Sequence, residues 1–203
     1  MTEDEAREWV AERFGADAGK RLDRLATLVT AEAERQNLIA RSTLNAFWAR
    51  HIVDSAQLLT LAALPDGRWI DIGTGAGFPG LVAAVLRAQP ITLIEPRRKR
   101  ATFLADTATA LDLPQVEVVC RKVEQVTKPA AIISARAVAS IDAIFAAALP
   151  CARSGTVWLL PKGRSAQEEV AAARRSWQAL FHVEQSLTDP ESLIVMARKV
   201  TRR

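Results

Sequence analysis

The spacing of apolar positions changes near Gly67 and divides the chain into two patterns. Before Gly67, apolar residues such as Leu22 and Leu25 recur at intervals of three and four, which is typical of amphipathic helices. After Gly67, short apolar runs alternate with longer stretches of helical periodicity. The pattern predicts a helical extension over residues 1–64 and an α/β domain, one compact unit, over residues 65–203.

The N-terminal extension is predicted to be a series of helices. Thr2 and Glu5 fit a capping box at the start of the first helix. A second helix is expected from about Asp17 into the thirties, and a third from about Ser42 through Leu64.

Five apolar runs after Gly67 predict strands, and helical stretches follow most of them. Because strands and helices alternate, we expect a mostly parallel, doubly wound, Rossmann-like sheet. Two further strand candidates near the end of the chain are separated by too few residues for a crossover helix, so they predict an antiparallel hairpin. The predicted strands are 69–72, 91–94, 116–120, 131–134, 156–161, 181–186 and 193–199, and the predicted helices are 81–87, 99–111, 140–153 and 166–179.

A glycine-rich turn follows the first predicted strand, and from Asp71 to Gly80 it reads D-I-G-T-G-A-G-F-P-G. Glycine permits positive φ and close approach of a ligand, and free N–H groups at such a turn bind carboxylates or phosphates. The segment from Gly75 to Gly80 fits the G-x-G-x-x-G pattern of dinucleotide sites. The segment from Asp71 to Gly77 equally fits the D-x-G-x-G-x-G pattern of S-adenosylmethionine enzymes.

We favour S-adenosylmethionine over a dinucleotide at this turn. The carboxylate of Asp71 adds negative charge, which is unfavourable near a pyrophosphate but tolerable beside an ammonium and a sulfonium. Pro79 removes one N–H donor from the start of the helix and so weakens a phosphate site. The predicted cofactor-binding residues of the turn are Asp71, Gly73, Gly75 and Gly77.

Two later strand ends supply further candidates for binding adenosine. Glu95 ends the second predicted strand, about twenty residues after Gly75, where an acid accepts hydrogen bonds from ribose hydroxyls. Since both cofactors contain a ribose, Glu95 supports adenosine binding without choosing between them. Val123 and Glu124 follow the third strand, where the adenine is expected, and Val123 is expected to pack on its ring.

Several motifs together resemble the RsmG (GidB) family of small-subunit ribosomal RNA guanine-N7 methyltransferases. The likeness covers roughly residues 35–165, with its motifs in the same order. A glycine motif alone is weak evidence for a family, whereas this ordered set of motifs is specific evidence. The stretches that carry it are Asn37-Leu38, 47–55 (F-W-A-R-H-I-V-D-S), 71–80, 99–104 (K-R-A-T-F-L), 134–140 (S-A-R-A-V-A-S) and Pro161-Lys162-Gly163.

The resemblance implies a class I S-adenosylmethionine-dependent methyltransferase with an N-terminal helical extension. It implies ribosomal RNA processing by in-line methyl transfer to N7 of one guanosine in 16S ribosomal RNA, with no metal and no covalent intermediate. The sequence departs from the family pattern at Ile39, Val123 and Val138. By resemblance, the cofactor-contacting positions are Gly73, Phe78, Val123, Glu124 and Arg136.

Basic residues at the same sheet edge are candidates for contacts with RNA. Arg136 follows the fourth strand and is expected to orient either the cofactor carboxylate or an RNA phosphate through its planar guanidinium; a surface ion pair is the alternative. The basic run Arg97-Arg98-Lys99-Arg100 opens a helix at this edge, and Lys162 ends the fifth strand there. Each is an RNA-binding candidate, although a solvated helix start is the usual role of such a run.

His51 and Asp54 share one face of a predicted helix at spacing i, i+3. A general-base role for this pair is not favoured, because N7 of guanine is an unprotonated ring nitrogen and its methylation requires no base. We therefore interpret the two residues as a structural pair near the pocket and include His51 among the RNA-contact candidates.

Composition narrows the class of protein. Lys and Arg number 27 against 23 Asp and Glu, and the net charge of +4 permits a polyanionic partner without establishing one. Two cysteines and two histidines suit neither a disulfide framework nor a zinc site, so no metal is predicted. The acidic start and the lack of a long apolar run predict neither a secretory signal nor a membrane span. We expect a cytoplasmic monomer that acts on 16S ribosomal RNA within a small-subunit particle or its precursor.

Two other classes of protein fit parts of this pattern. An NAD-dependent oxidoreductase would use the same glycine turn, and binding of NAD without S-adenosylmethionine would identify it. A non-catalytic RNA-binding protein could retain the fold, and failure to transfer a labelled methyl group to small subunits would identify that class.

Overall fold

One seven-stranded sheet organises residues 1–61 and 63–203, which the computed structural model describes. Its strands, in chain order, are β1 (Trp69–Ile72), β2 (Ile91–Ile94), β3 (Val116–Val119), β4 (Ile132–Ala135), β5 (Val157–Lys162), β6 (Trp177–Gln185) and β7 (Leu193–Arg202). Their order in the sheet is β3-β2-β1-β4-β5-β7-β6. Strands β1 to β5 pair in parallel, β7 is antiparallel to β5, and β6 is antiparallel to β7. The predicted parallel sheet with a terminal hairpin is confirmed.

The position of the last strand in the sheet cannot be predicted from the local sequence pattern. β7 inserts between β5 and β6, so it has a hydrogen-bonding partner on each side. The predicted helix 166–179 was wrong at its end, because β6 already begins at Trp177. The Trp177 ring is buried against Phe145, and its Nε1 donates a hydrogen bond of 2.8 Å to Asp142. These distant contacts favour the extended conformation at that position.

Helices cover both faces of the sheet. They are α1 (Glu3–Phe14), α2 (Ala16–Ala33), α3 (Asp54–Ala56), α4 (Gly80–Leu86), α5 (Arg98–Ala110), α6 (Ile141–Ala148) and α7 (Ala166–Ser176). The predicted capping box is present at α1, where Thr2 Oγ1 accepts from the amide of Glu5 and the Glu5 carboxylate accepts from the amide of Thr2. No helix in the two described ranges has the length and apolar content needed to cross a membrane.

Alternation along the strands separates two hydrophobic clusters. In β5, Val157 and Leu159 face the cluster that includes α1, α2, α4 and α5, whereas Trp158 and Leu160 face the cluster that includes α6 and α7. The N-terminal helices therefore pack on the same sheet face as α4 and α5. The domain boundary near residue 64 stays a prediction, because apolar residues on both sides of it share the first cluster.

The prediction of one regular helix from Ser42 to Leu64 was wrong, because the segment is a succession of short helices of different types. The structure has a 3-10 helix (Arg41–Ala46), a π-helix (Trp48–Val53), α3 and a second 3-10 helix (Gln57–Leu59). We call these residues, 41–59, the mixed helical segment. Ala62, within the predicted helix, lies outside the described residues.

Side-chain capping from α1 explains part of this irregular geometry. The Glu3 carboxylate accepts hydrogen bonds of 3.0 Å from the amides of both Trp48 and Ala49. These amides begin the π-helix, where backbone donors lack an intrahelical acceptor. An acid distant in sequence thus caps a helix start that local periodicity cannot reveal.

Replacement of Glu3 by alanine is expected to lower the free energy of unfolding by about 1–3 kcal/mol, because it removes two hydrogen bonds to a charged acceptor. Urea unfolding measures the change. Glu8→Ala, at an exposed position of the same helix, is the matched control. Equal effects of the two substitutions would contradict the capping role.

Candidate active site

The carboxyl ends of four parallel strands bring the predicted residues together at one sheet edge. Gly73 follows β1, Glu95 follows β2, Arg136 follows β4, and Lys162 ends β5. Doubly wound sheets place their ligand sites at the carboxyl ends of the strands where the strand order reverses, which here is between β1 and β4.

Gly73 and Gly75 form the partly exposed part of the turn. Their φ angles are +63° and +60°, which side chains other than glycine rarely adopt. A Cβ atom on Gly75 would lie 3.6 Å from the carbonyl oxygen of Gly73 and 4.0 Å from Nη1 of Arg100, which are ordinary contact distances, so the protein leaves room beside Gly75. A Cβ atom on Gly73 would approach a methyl group of Val138 to 2.8 Å. The turn can therefore receive a ligand over Gly75 as long as these positions lack side chains.

Gly77 and Gly80 have a different role. A Cβ atom on Gly77 would approach Leu81 to 2.5 Å, and one on Gly80 would approach Leu93 to 2.3 Å. Both glycines are buried and allow α4 to pack closely on the sheet. The close approach to Leu81 gives Gly77 a packing role, and its predicted cofactor contact stays a prediction.

Asp71 stabilises the turn from its buried side. Its side chain is completely buried, with Oδ2 accepting from the amide of Gly80 at 3.0 Å and Oδ1 accepting from Ser134 Oγ at 2.6 Å. Ser134 Oγ in turn accepts from Trp69 Nε1 at 2.7 Å. Burial raises the pKa of Asp71 to about 6, against hydrogen bonds that lower it. These contacts give Asp71 a role in fixing the turn, and its predicted contact with a cofactor stays a prediction.

Glu95 follows β2, and its buried side chain is hydrogen-bonded to the backbone of the glycine turn. One carboxylate oxygen accepts from the amide of Gly75 at 3.1 Å, and the other accepts from the amide of Arg97 at 2.9 Å. A carboxylate offers about four acceptor sites, so each oxygen retains capacity for a hydroxyl donor. The arrangement suits recognition of a diol.

The remaining cofactor candidates border this region. Val123 is buried at the start of a short 3-10 helix after β3, and Glu124 beside it is exposed. Phe78 is buried, and its ring lies 5.3 Å from the guanidinium carbon of Arg136. Their contacts with a ligand remain predictions.

Arg136 is the centre of a polar cluster built from two distant segments. Its Nη1 donates to Asp54 Oδ2 at 2.9 Å and to the carbonyl of Arg50 at 3.2 Å. Its Nη2 lies 3.3 Å from Nδ1 of His51. The predicted pair of His51 and Asp54 is therefore joined through Arg136, a partner that the spacing of the pair did not indicate.

His51 is a neutral member of this cluster. Burial, followed by the positive charges of Arg136 and Arg50, lowers its pKa to about 3. Its ring stacks on Phe78 with centroids 5.0 Å apart and contacts Phe47 edge-on at 5.2 Å. Since Arg136 can only donate, Nδ1 is an acceptor, and the proton is on Nε2, 2.9 Å from Thr43 Oγ1. These stacking and hydrogen-bond contacts therefore hold the His51 ring in one orientation.

A cavity of about 570 Å³ opens beside Arg136. Its walls come from the mixed helical segment, the residues after β4, the end of β5 and the connection between β6 and β7. The residues that matter for its charge are Arg50, Asp54, Arg136, Lys162 and Glu169.

Lys162 lines this cavity but is already paired. Its Nζ lies 2.9 Å from Glu169 Oε2 and also donates to the carbonyl of Ala139, and its side chain is 9% exposed. Its partners are themselves groups of the cavity wall, and its predicted contact with an RNA phosphate stays a prediction.

The basic run divides into two parts. Arg97, Arg98 and Lys99 are exposed where α5 begins. Arg100 instead donates to the carbonyl of Asn37 at 2.8 Å and lies near Gly75. The first three remain candidates for RNA contact, while Arg100 ties the loop after α2 to the turn. Within the described ranges, no group of histidine, cysteine or acidic side chains is arranged to hold a metal ion.

Sequence reasoning missed three polar residues of the site. Gln57 and Ser186 are buried, and Thr188 is half-buried beside Asp54. The polar stretch S-L-T-D-P-E-S between β6 and β7 was interpreted only as a hairpin connection. Its density of hydroxyl and carboxyl groups was the available signal.

The strand order, the glycine turn and the acid after β2 define the class I S-adenosylmethionine-dependent methyltransferase fold. A methyltransferase of Aquifex aeolicus described as SAM-dependent has a TM-score of 0.63 at 14% identity, covering 81% of this chain and 96% of that one. A ribosomal protein L11 methylase of Lactobacillus delbrueckii has a TM-score of 0.58 at 13% identity, covering 74% and 77% of the two chains.

Sequence comparison identifies the family. Residues 19–193 match the profile of the family described as rRNA small subunit methyltransferase G (GidB). Proteins named ribosomal RNA small subunit methyltransferase G are 47% identical in Novosphingobium aromaticivorans, over 98% of this chain and 89% of that protein, and 41% identical in Zymomonas mobilis, over 98% and 95%. The chain belongs to this family, and the predicted resemblance is confirmed.

The low pKa of His51 predicts a pH dependence of stability. The unfolded chain binds a proton at this residue below its ordinary pKa of 6.5, whereas the folded protein does so only near 3, so stability falls as pH falls through this window. Between about pH 7.5 and about pH 5.5, wild type should lose about 1.4 kcal/mol more stability than His51→Gln.

Urea unfolding at the two pH values measures this difference. His182→Gln, on the exposed side of β6, keeps His51 and should retain the wild-type dependence. Parallel pH profiles for wild type and His51→Gln would contradict the buried, neutral state of His51.

Proposed function

We propose that this protein transfers the methyl group of S-adenosylmethionine to N7 of a guanosine in 16S ribosomal RNA. The observation that carries the proposal is the juxtaposition of the glycine turn, the Glu95 carboxylate bonded to it and a cavity at one sheet edge, in a member of the methyltransferase G family. The dehydrogenase alternative loses support, because the family and the antiparallel β7 belong to methyltransferases.

The residues at the turn fit S-adenosylmethionine. Glu95 retains acceptor capacity for both ribose hydroxyls, and Val123 offers an apolar side chain after β3 for the adenine. Open space above Gly75 admits the nucleoside next to the backbone. Phe78, Glu124 and Arg136 complete the proposed cofactor contacts, with Arg136 facing the carboxylate.

The cavity beside Arg136 is the proposed site of the target guanosine. His51 and Arg136 form one wall, and the connection between β6 and β7 forms another. A base must leave its stack to reach such a cavity, so an RNA loop or an unstacked nucleotide is the expected substrate.

Catalysis requires orientation more than proton transfer. S-adenosylmethionine supplies a methyl group that its sulfonium already activates. The chain holds N7 in line with the methyl–sulfur bond, and such positioning contributes about 7–11 kcal/mol. N7 carries no proton, which agrees with a His51 that is neutral and already engaged at both nitrogens. Arg136 orients the partners, held by Asp54 and Arg50.

Arg97, Arg98 and Lys99 are the proposed contacts with the RNA backbone, because they are exposed where α5 starts at the site edge. The protein is proposed to act in the cytoplasm as a monomer on a small-subunit particle or its precursor. A particle would hold the target guanosine in a fixed position and add contacts that this small surface lacks.

Replacement of Gly75 by alanine should weaken calorimetric binding of S-adenosylmethionine at least about tenfold, because the new methyl group fills the space above the turn. Gly15→Ala is the matched control. Gly15 also has a positive φ, +86°, and open space around it, but it lies at the end of α1 and not in the glycine turn. Equal affinities of the two variants would refute the placement of the cofactor.

Transfer of labelled methyl groups to small subunits from cells lacking this gene tests the activity. Wild type should label 16S ribosomal RNA at one guanosine, which cleavage chemistry specific for N7-methylguanosine locates. Arg136→Ala should reduce the rate at least about tenfold, whereas Arg153→Ala, exposed before β5 at the opposite sheet edge, should not. Absence of labelling by wild type would indicate a non-catalytic RNA-binding protein.

A further inference from the structure

The connection between β6 and β7 binds the mixed helical segment through side chains of both. We call residues 186–192 the hairpin loop. Gln57, which is completely buried, accepts from the amide of Leu187 at 2.9 Å and donates to Ser186 Oγ at 3.1 Å. Thr188 Oγ1 lies 3.1 Å from Asp54 Oδ1.

A third contact extends this attachment along one helical face. Arg50 forms an ion pair with Asp189 of the hairpin loop. Positions 50, 54 and 57 are separated by four and three residues, so they lie on the same side of the mixed helical segment. The hairpin loop therefore follows the segment over about two turns. It touches Asp54, the residue that holds Arg136.

Hydrogen-bond capacity fixes the direction of the polar chain. The Asp54 carboxylate can only accept, so the Thr188 hydroxyl donates its single proton to it. Thr188 Oγ1 must then accept from Ser186 Oγ, 3.0 Å away. Ser186 Oγ itself accepts from Gln57 and from the amide of Thr188. Every donor in the chain has an acceptor, and the chain ends on the carboxylate that pairs with Arg136.

The two oxygens of Asp54 thus have separate partners. Oδ2 receives Arg136, while Oδ1 receives Thr188 and Gln57 Nε2, the latter at 3.2 Å. The side chains of Asp54 and Arg136 are only 16% and 20% exposed. Donors on Oδ1 oppose rotation of the carboxylate, and a carboxylate held in this way keeps Oδ2 in place as the acceptor for Nη1, which together with the Arg50 carbonyl and His51 Nδ1 orients the guanidinium.

We propose that Thr188 is a positioning residue that sets the orientation of Arg136 through Asp54. The inference rests on the proposed function for its effect on rate, but the orientation itself is independent of it. The hairpin loop also lines the cavity through Ser186 and Ser192. The same loop therefore shapes the cavity and orients the arginine that faces it.

Thr188→Val tests the proposal, because it keeps the shape of the side chain and removes the hydroxyl. On small subunits, kcat should fall about tenfold, with the KM for RNA changed by less than about twofold. Thr188→Ser restores the donor and should restore most of the rate. Thr27→Val, on the exposed side of α2, removes a hydroxyl that bonds only within its own helix and should leave the rate unchanged.

A mutant cycle locates the effect. In an Arg136→Lys background, where the planar guanidinium is absent, Thr188→Val should cost little further rate. Equal losses for the valine and serine variants, or a full additional loss in the lysine background, would overturn the proposal.

Nitrogen-15 NMR of the Arg136 guanidinium gives a measurement that needs no activity. Rotation about its Cζ–Nε bond should be slow in wild type and in Thr188→Ser but faster in Thr188→Val. Unchanged rotation in the valine variant would overturn the proposal even if methyl transfer is observed. If wild type transfers no methyl group while the rotation responds as expected, the proposed function fails and the positioning role is supported.

Discussion

The ion pair between Arg136 and Asp54 is the contact on which the geometry of the site depends. It joins the residue after β4 to the mixed helical segment, and the hairpin loop reaches the same carboxylate. Three parts of the chain that are far apart in sequence therefore meet at one partly buried charge pair. Loss of either partner would leave the other charge without its counterpart in a poorly solvated place. This explains why a helical extension and a C-terminal hairpin both pack around the carboxyl edge of the sheet.

Two buried acids near the glycine turn hold different parts of the backbone. Asp71 has Gly80 and Ser134 as donors and is completely enclosed, so its carboxylate serves the protein. Glu95 is also buried, but each of its oxygens accepts one backbone amide, from Gly75 and from Arg97. Both acids were predicted from their position at a strand end beside the turn. Their partners, which only the tertiary structure shows, place Asp71 against the start of α4 and Glu95 between the glycine turn and the residues before α5.

Much of the fold follows from local pattern, because strands buried on both faces produce continuous apolar runs. The runs at β1 and β2 and the capping box of α1 were predicted with the observed bounds or residues. The mixed helical segment was not, since its geometry depends on Glu3, about forty residues earlier. Similarly, Lys162 was predicted to contact RNA, and its ion pair with Glu169 on the next helix was not predicted. The spacing of the motifs predicted which edge of the sheet carries the site. The partner of each charged side chain could be identified only from the tertiary structure.

Burial of His51 and Asp71 also gives the protein two opposing responses to acid. The folded pKa of His51 is depressed, so its contribution to stability is lost as pH falls below 6.5. The folded pKa of Asp71 is raised from 3.8 to about 6, so the folded state binds the proton first and stability increases as pH falls through that window. Between pH 3.8 and about pH 6, the stability gained by protonation of Asp71 offsets the stability lost at His51, so the two pH dependences of stability cancel. A neutral imidazole under the aromatic cluster and a buried carboxyl behind the turn therefore coexist without a steep acid dependence from this pair. Both buried polar groups are tolerated because each nitrogen of His51 and each carboxylate oxygen of Asp71 has a hydrogen-bond partner.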